Sequence, residues 1–141
     1  MSDIAYAREA ALPLDDYIDV VGHSSLGPTR PLNDRDRIAA MIAGAQLIVS
    51  ARLDGRCVGI ARCLTDFAWV AYCCDLAVHD AFQGRGIGTG LLRRCKELLG
   101  DGVGIALFSV EEAVGYYDRL ESTLGLKRYP YGYWMTRSRG V

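Results

Sequence analysis

Four glycines, Gly84, Gly86, Gly88 and Gly90, alternate through the segment GRGIGTG. Before them lies a run of strand formers, Val70–Val78; after them Ile87, Leu91, Leu92, Cys95, Leu98 and Leu99 recur at helical spacing. The glycines therefore stand at the mouth of a helix. There the first backbone N–H groups have no partner within the helix, the dipole is positive, and the absence of side chains admits a ligand to the backbone. Such a place suits a phosphate or pyrophosphate. A flexible or tightly packed turn is the plainer reading of the same composition.

Spacing separates the known phosphate loops. G-x-G-x-x-G fails, because Thr89 stands three after Gly86 and Leu91 three after Gly88. No Gly-Lys-Ser/Thr follows, so the P-loop fails as well. What fits is Q-x-x-G-x-G, as Gln83-Gly84-Arg85-Gly86-Ile87-Gly88 behind the strand-like DLAV. Here the chain resembles the Gcn5-related N-acetyltransferase (GNAT) superfamily, whose coenzyme-A signature is Arg/Gln-x-x-Gly-x-Gly/Ala on a strand–loop–helix unit. The resemblance implies acetyl-CoA as co-substrate. Its pyrophosphate would rest on the amides of Gly84, Arg85, Gly86, Ile87, Gly88 and Thr89, with Gln83 fixing the loop. It also implies a bulged, splayed preceding strand, so that Leu76, Ala77 and Val78 offer backbone groups to the pantetheine arm. An amide near Leu76 or Ala77 would polarise the thioester carbonyl.

The acid and base follow from the same resemblance and from what amine acetylation needs, a neutral nucleophile and a proton for the departing thiolate. The family pattern A-x-x-F-Y-x-x-L-G-F is met by Ala113-Val114-Gly115-Tyr116-Tyr117-Asp118-Arg119-Leu120, which puts Tyr117 in the place of the acid. The departure is Glu121-Ser122-Thr123-Leu124, inserted between Leu120 and Gly125. Asp75 is the candidate base if it faces the cleft, and a structural hydrogen-bond acceptor if it does not. Asp66, His23 and His79 are weaker candidates, His79 being expected at the surface. Cys73-Cys74 raises an acyl-cysteine route, but neither histidine is tied to these thiols in sequence, and strand cysteines are usually core residues. Direct attack in a ternary complex is the expectation.

The positioning elements are read from periodicity and turn chemistry. Residues 4–8 alternate like a strand. Leu14, Tyr17, Ile18 and Val21 predict an amphipathic helix ending before Gly22, and Asn33 predicts the N-cap of a second helix carrying Ile38, Met41, Ile42 and Ala45. LIVSARL and RCVGIARCL flank Asp54-Gly55, a hairpin signal, and a turn at residues 66–68 leads to a third strand. After the glycine-loop helix, VGIALFSV predicts a buried parallel strand. Ser109 with Glu112 predicts a capping box, and LKRYPYGYWMTR one or two edge strands. With the resemblance, the order implies an α+β fold: a three-layer α/β/α sandwich with a central mixed, mostly antiparallel sheet, acyl-CoA N-acyltransferase-like, residues 1–141 forming one domain.

At 141 residues, 23% charged and with a net charge of -1, the chain is long enough for a real core and lacks the basic excess of a nucleic-acid binder. Five cysteines with no C-x-x-C pair and two histidines read neither as a disulfide framework nor as a metal site. No apolar run is long enough for a membrane span, and a cytoplasmic location is expected. The expected acceptor is a small-molecule primary amine, lined by residues 23–33 and the C-terminal aromatics Tyr129, Tyr131, Tyr133 and Trp134. Those aromatics suit dimer contacts equally, which leaves a homodimer open. A non-catalytic acyl-CoA-binding module and a protein N-acetyltransferase are the alternatives.

Overall fold

The computed structural model describes residues 3–138, and the chain divides into two compact units, Met1–Phe108 and Ser109–Val141. The first is built on a five-stranded sheet in the order β1-β2-β3-β4-β5. Its strands are β1 (Ala5–Arg8), β2 (Leu47–Leu53), β3 (Arg56–Thr65), β4 (Val70–Val78) and β5 (Gly104–Ala106). The first four pair antiparallel and β5 runs parallel to β4, as a mixed, mostly antiparallel sheet requires. Asp54 and Gly55 turn β2 into β3 with φ of 50° and 84°, the left-handed pair that a two-residue hairpin demands. At the next turn the Asp66 carboxylate accepts from the N–H groups of Ala68, Trp69 and Val70.

Helices α1 (Leu14–Gly22) and α2 (Arg35–Ala43) cover one face of the sheet. Tyr17, Val20, Val21 and Ile38 bury there against Ile48, Ile60 and Ala77. The N-cap of α2 is Asp34, which accepts from the Arg37 N–H, one residue beyond the Asn33 expected from sequence. Helix α3 (Ile87–Leu99) covers the opposite face through Ile87, Leu91, Leu92, Cys95 and Leu99. Gly59 makes this seating possible: a Cβ there would lie 2.9 Å from Ile87 Cγ2 and 3.1 Å from Leu91 Cδ1. Sheet and helices thus form the expected three layers.

In the second unit several expectations give way. The segment after Glu111 is a 3-10 turn, then α4 (Val114–Asp118) and α5 (Glu121–Leu124), a broken helix rather than one continuous face. Ser109 does not cap it; its hydroxyl donates to the Val110 carbonyl, and the N-cap is Val110 with no side-chain bond. Gly125 closes α5 in the left-handed region at φ 70°. Residues 126–138 form no strand, and Tyr129, Tyr131, Tyr133 and Met135 are largely exposed. Aromatic alternation does not make a strand when no partner ladder takes up its backbone groups. In the first unit β5 is likewise shorter than VGIALFSV, and only Val103 of that run is buried. No helix among the described residues is long and apolar enough to cross a membrane.

Candidate active site

One extra residue in β4 sets the geometry. Arg62 faces Asp75 across the β3–β4 ladder and the next residue, Cys63, faces Cys73, so Cys74 is bulged out. Cross-strand partners share a face and neighbours along a strand alternate, so the bulge puts Cys73 and Asp75 on opposite faces. Cys73 lies among buried residues with Cys63 and Cys95, on the α3 side. Asp75 turns toward α1. Without the bulge its carboxylate would point at α3.

The bulge also fixes which amides face outward. His79 N–H donates to the Val58 carbonyl, so the alternation of the antiparallel ladder spends the amides of Ala77 and Asp75 on β3 and turns those of Val78 and Leu76 to the opposite edge. On that edge β5 pairs with β4 only at Val70, Ala71 and Tyr72. Among the described residues no strand continues beside Leu76 and Val78. The Leu76 and Val78 amides thus lie on a stretch of the β4 edge that carries no ladder partner among the described residues, next to the glycine loop.

The loop continues from that edge. Gln83 donates its side-chain amide to the Val78 carbonyl at 3.4 Å, a long bond that ties the loop back to the strand. Gly84 and Gly86 take φ of 78° and 75°, a region costly to residues with a Cβ, and a Cβ on either would meet nothing within 4 Å. The glycines serve backbone shape and leave open space over it. Gly86 is the N-cap of α3, and Gly90 N–H, bonding to Gly86 O, makes the first helical bond. Neither a capping side chain nor an acidic residue occupies that first turn, so its electropositive end is left for an anion. Arg85 lies over the Phe82 ring at 5.3 Å. The open glycine backbone, the uncapped helix mouth and the unpaired edge of β4 together fit a long molecule carrying phosphates at one end.

Asp75 sits in a saturated site. Its side chain has no exposure; Oδ1 accepts from Arg30 Nε at 2.7 Å, and Oδ2 from Arg62 Nε and the Tyr17 hydroxyl, each at 2.6 Å. Burial works to raise its pKa, but the two guanidinium groups and the Tyr17 hydroxyl outweigh burial and hold it below the usual carboxylate range. Burial first, and the Asp75 charge second, push the Tyr17 hydroxyl up. This is the environment of an ion-paired carboxylate, with every short contact to it coming from a donor. Sequence patterns gave no hint of Tyr17, Arg30 and Arg62 as its partners.

Cys73 and Cys74 are held toward their protonated, less nucleophilic form. Burial raises the pKa of Cys74, while a hydrogen bond with Cys63 and burial raise that of Cys73. His79 is buried rather than at the surface, stacked on His23 with ring centroids 4.5 Å apart. Its Nδ1 accepts from the Ala81 N–H, which assigns the neutral ring's proton to Nε2. Asp19, His23 and His79 bring ligand-type atoms within 4.8 Å of one another, but the Arg56 guanidinium stands 3.5 Å from His79 Nε2, a poor setting for a cation. Tyr117 lies in α4, its ring edge-on to Tyr116 at 5.1 Å. A cleft of ≈ 530 Å³ lined by Arg8, Leu12, Ile42 and Ile48 lies apart from the glycine loop.

A bulged strand whose parallel neighbour pairs with its first three residues only, followed by a glycine loop and a helix, defines the acyl-CoA N-acyltransferase class of fold. The sequence profile of the Acetyltransferase (GNAT) family matches residues 14–121, and the chain belongs to that family: it is an acetyltransferase. A protein of Deinococcus radiodurans R1 is similar in structure, with a TM-score of 0.72 and 26% identity over 96% of this chain and 89% of that one. The aminoglycoside N-acetyltransferase AAC(6')-Iy, solved with CoA, has a TM-score of 0.71 at 16% identity, with coverage of 99% and 97%. An aminoglycoside acetyltransferase from an uncultured soil metagenomic sample, solved with sisomicin, gives 0.69 at 18%, covering 95% and 96%. Comparison with curated proteins finds no match.

Proposed function

We propose that this acetyltransferase moves an acetyl group from acetyl-CoA to a primary amine of a small molecule by direct attack in a ternary complex. The observation that carries the reading is the continuity of the open β4 edge at Leu76 and Val78 with the uncapped mouth of α3. Acetyl-CoA supplies the activated thioester. The amides from Gly84 to Thr89 hold its pyrophosphate, and the Leu76 amide donates to the carbonyl oxygen as charge develops there. Tyr117, placed by the family pattern, gives a proton to the leaving sulfur. Asp75 serves as a buried anchor for Arg62 and Arg30, and the amine loses its proton to water. The raised thiol pKa values of Cys73 and Cys74 disfavour an acyl-cysteine intermediate and so support direct attack.

The family profile crosses from the first unit into the second, which supports reading residues 1–141 as one acetyltransferase domain. Five free cysteines suit a reducing cytoplasm. The aminoglycoside acetyltransferases among the structural neighbours support a small-molecule acceptor over a protein. The test is free-thiol release from acetyl-CoA across a panel of primary amines. Turnover with at least one small amine is expected; CoA binding without turnover on any amine would leave a non-catalytic binding module.

A further inference from the structure

The cluster around Asp75 carries one charge too many. A single carboxylate is enough to match Arg62, which is buried and bonded to Oδ2, yet Arg30 is bonded to Oδ1 as well. With Asp75 ionised and both arginines permanently protonated, the cluster bears a net charge of about +1. An excess charge in a partly desolvated place is costly unless an anion meets it. Arg30 is the member that reaches solvent, its side chain 22% exposed against 9% for Arg62.

Its placement is equally specific. Nε donates to Asp75, Nη2 to the Cys74 carbonyl at 2.7 Å and Nη1 to the Thr29 hydroxyl at 2.8 Å. A guanidinium has five N–H donors, so two of Arg30's have no acceptor among the described residues. The group is clamped flat on the bulge, two residues from Leu76, or about 7 Å along a strand. An amino acid is short enough to set its carboxylate on Arg30 while its amine faces the thioester carbonyl that the Leu76 amide holds. The loop that carries Arg30, residues 23–33, contains no acidic side chain with which to attract a polycation.

We infer that Arg30 is a specificity-determining residue that receives the carboxylate of the acceptor, so that the amine acetylated here belongs to an amino acid or a similar amino-carboxylate. This rests on the acetyl-transfer reading above and departs from the cationic acceptors of the aminoglycoside enzymes. Arg30 selects through the two N–H groups left over by its Asp75, Cys74 and Thr29 contacts, which anchor the guanidinium.

The test compares L-amino acids with their uncharged primary amides as acceptors, measuring kcat/KM by thiol release. The wild type should favour the free carboxylate by about 10- to 100-fold, the range of a charge-assisted hydrogen-bonded pair. Arg30→Gln should bring the ratio near one, chiefly through KM, and Arg30→Lys should keep part of it; calorimetric CoA binding by each variant reports on the fold. Amides accepted as well as acids by the wild type, or a ratio that survives Arg30→Gln, would overturn the inference while leaving the acetyltransferase reading intact. No turnover with any amine would sink the underlying reading and the inference together.

Discussion

Replacing Asp75 by Asn removes one charge and almost no volume, which makes it a clean probe of whether this carboxylate anchors or catalyses. In the wild type it accepts three bonds of 2.6–2.7 Å from Arg30, Arg62 and Tyr17. Asparagine leaves Arg62 buried without a counter-charge and turns an NH2 group toward other donors. Breaking a buried pair this way costs about 3–5 kcal/mol, a large part of the roughly 5–15 kcal/mol that holds a domain folded. Urea unfolding should show that loss. Tyr17→Phe alone should cost about 1.5–3 kcal/mol and add little on top of Asp75→Asn, since the two remove one shared bond. Acid sensitivity follows in sign: because the folded pKa is depressed, Asp75's contribution is fully present above the unfolded value of about 3.9 and is lost as pH falls through the folded value. The variant should have a flatter acid limb. If Asp75→Asn unfolds within about 1 kcal/mol of wild type while acetylation collapses, the anchor account is wrong and Asp75 is the base.

Gly59→Val should lift the first turns of α3 off the sheet, because even a Cβ at 59 meets Ile87 at 2.9 Å; a loss of about 1–3 kcal/mol in unfolding, with weakened CoA binding, is expected. Unchanged CoA affinity would mean that the seating of α3 does not shape the loop. Tyr117→Phe should lower kcat by at least about 100-fold with little change in the KM for acetyl-CoA, and a kcat within a few-fold of wild type would remove the tyrosine from the proton-transfer step.

The parts legible in the sequence were those written in local chemistry. Asp54-Gly55 named a hairpin because few residue pairs accept left-handed backbone twice in succession. The glycine loop was legible because strand periodicity stops and helix periodicity starts on either side of it. The buried Asp75 cluster was not, since its partners lie 58, 45 and 13 residues away and only the packing of α1 and the loop after it on the sheet brings them together. The bulge at Cys74 leaves no periodic trace either, being a single unpaired residue, yet it decides which face Asp75 takes. The failures come from patterns without partners. Ser109 and Glu112 have capping-box spacing, but Ser109 bonds its neighbour's carbonyl, and the aromatic tail alternates with no ladder to join. His79 looked like a turn residue and is buried by stacking on His23, a contact across 56 positions of sequence, 79 less 23.

The central claim is that the glycine loop and the mouth of α3 hold the phosphates of CoA. Titrating CoA calorimetrically into the wild type and into Gly86→Asp tests it most directly, because the aspartate sets a negative charge at the helix mouth in a backbone region that already disfavours a side chain. Saturable one-to-one binding by the wild type, lost in a variant that still unfolds cooperatively, is the predicted result; equal affinity in both proteins, or no binding by the wild type, would contradict it.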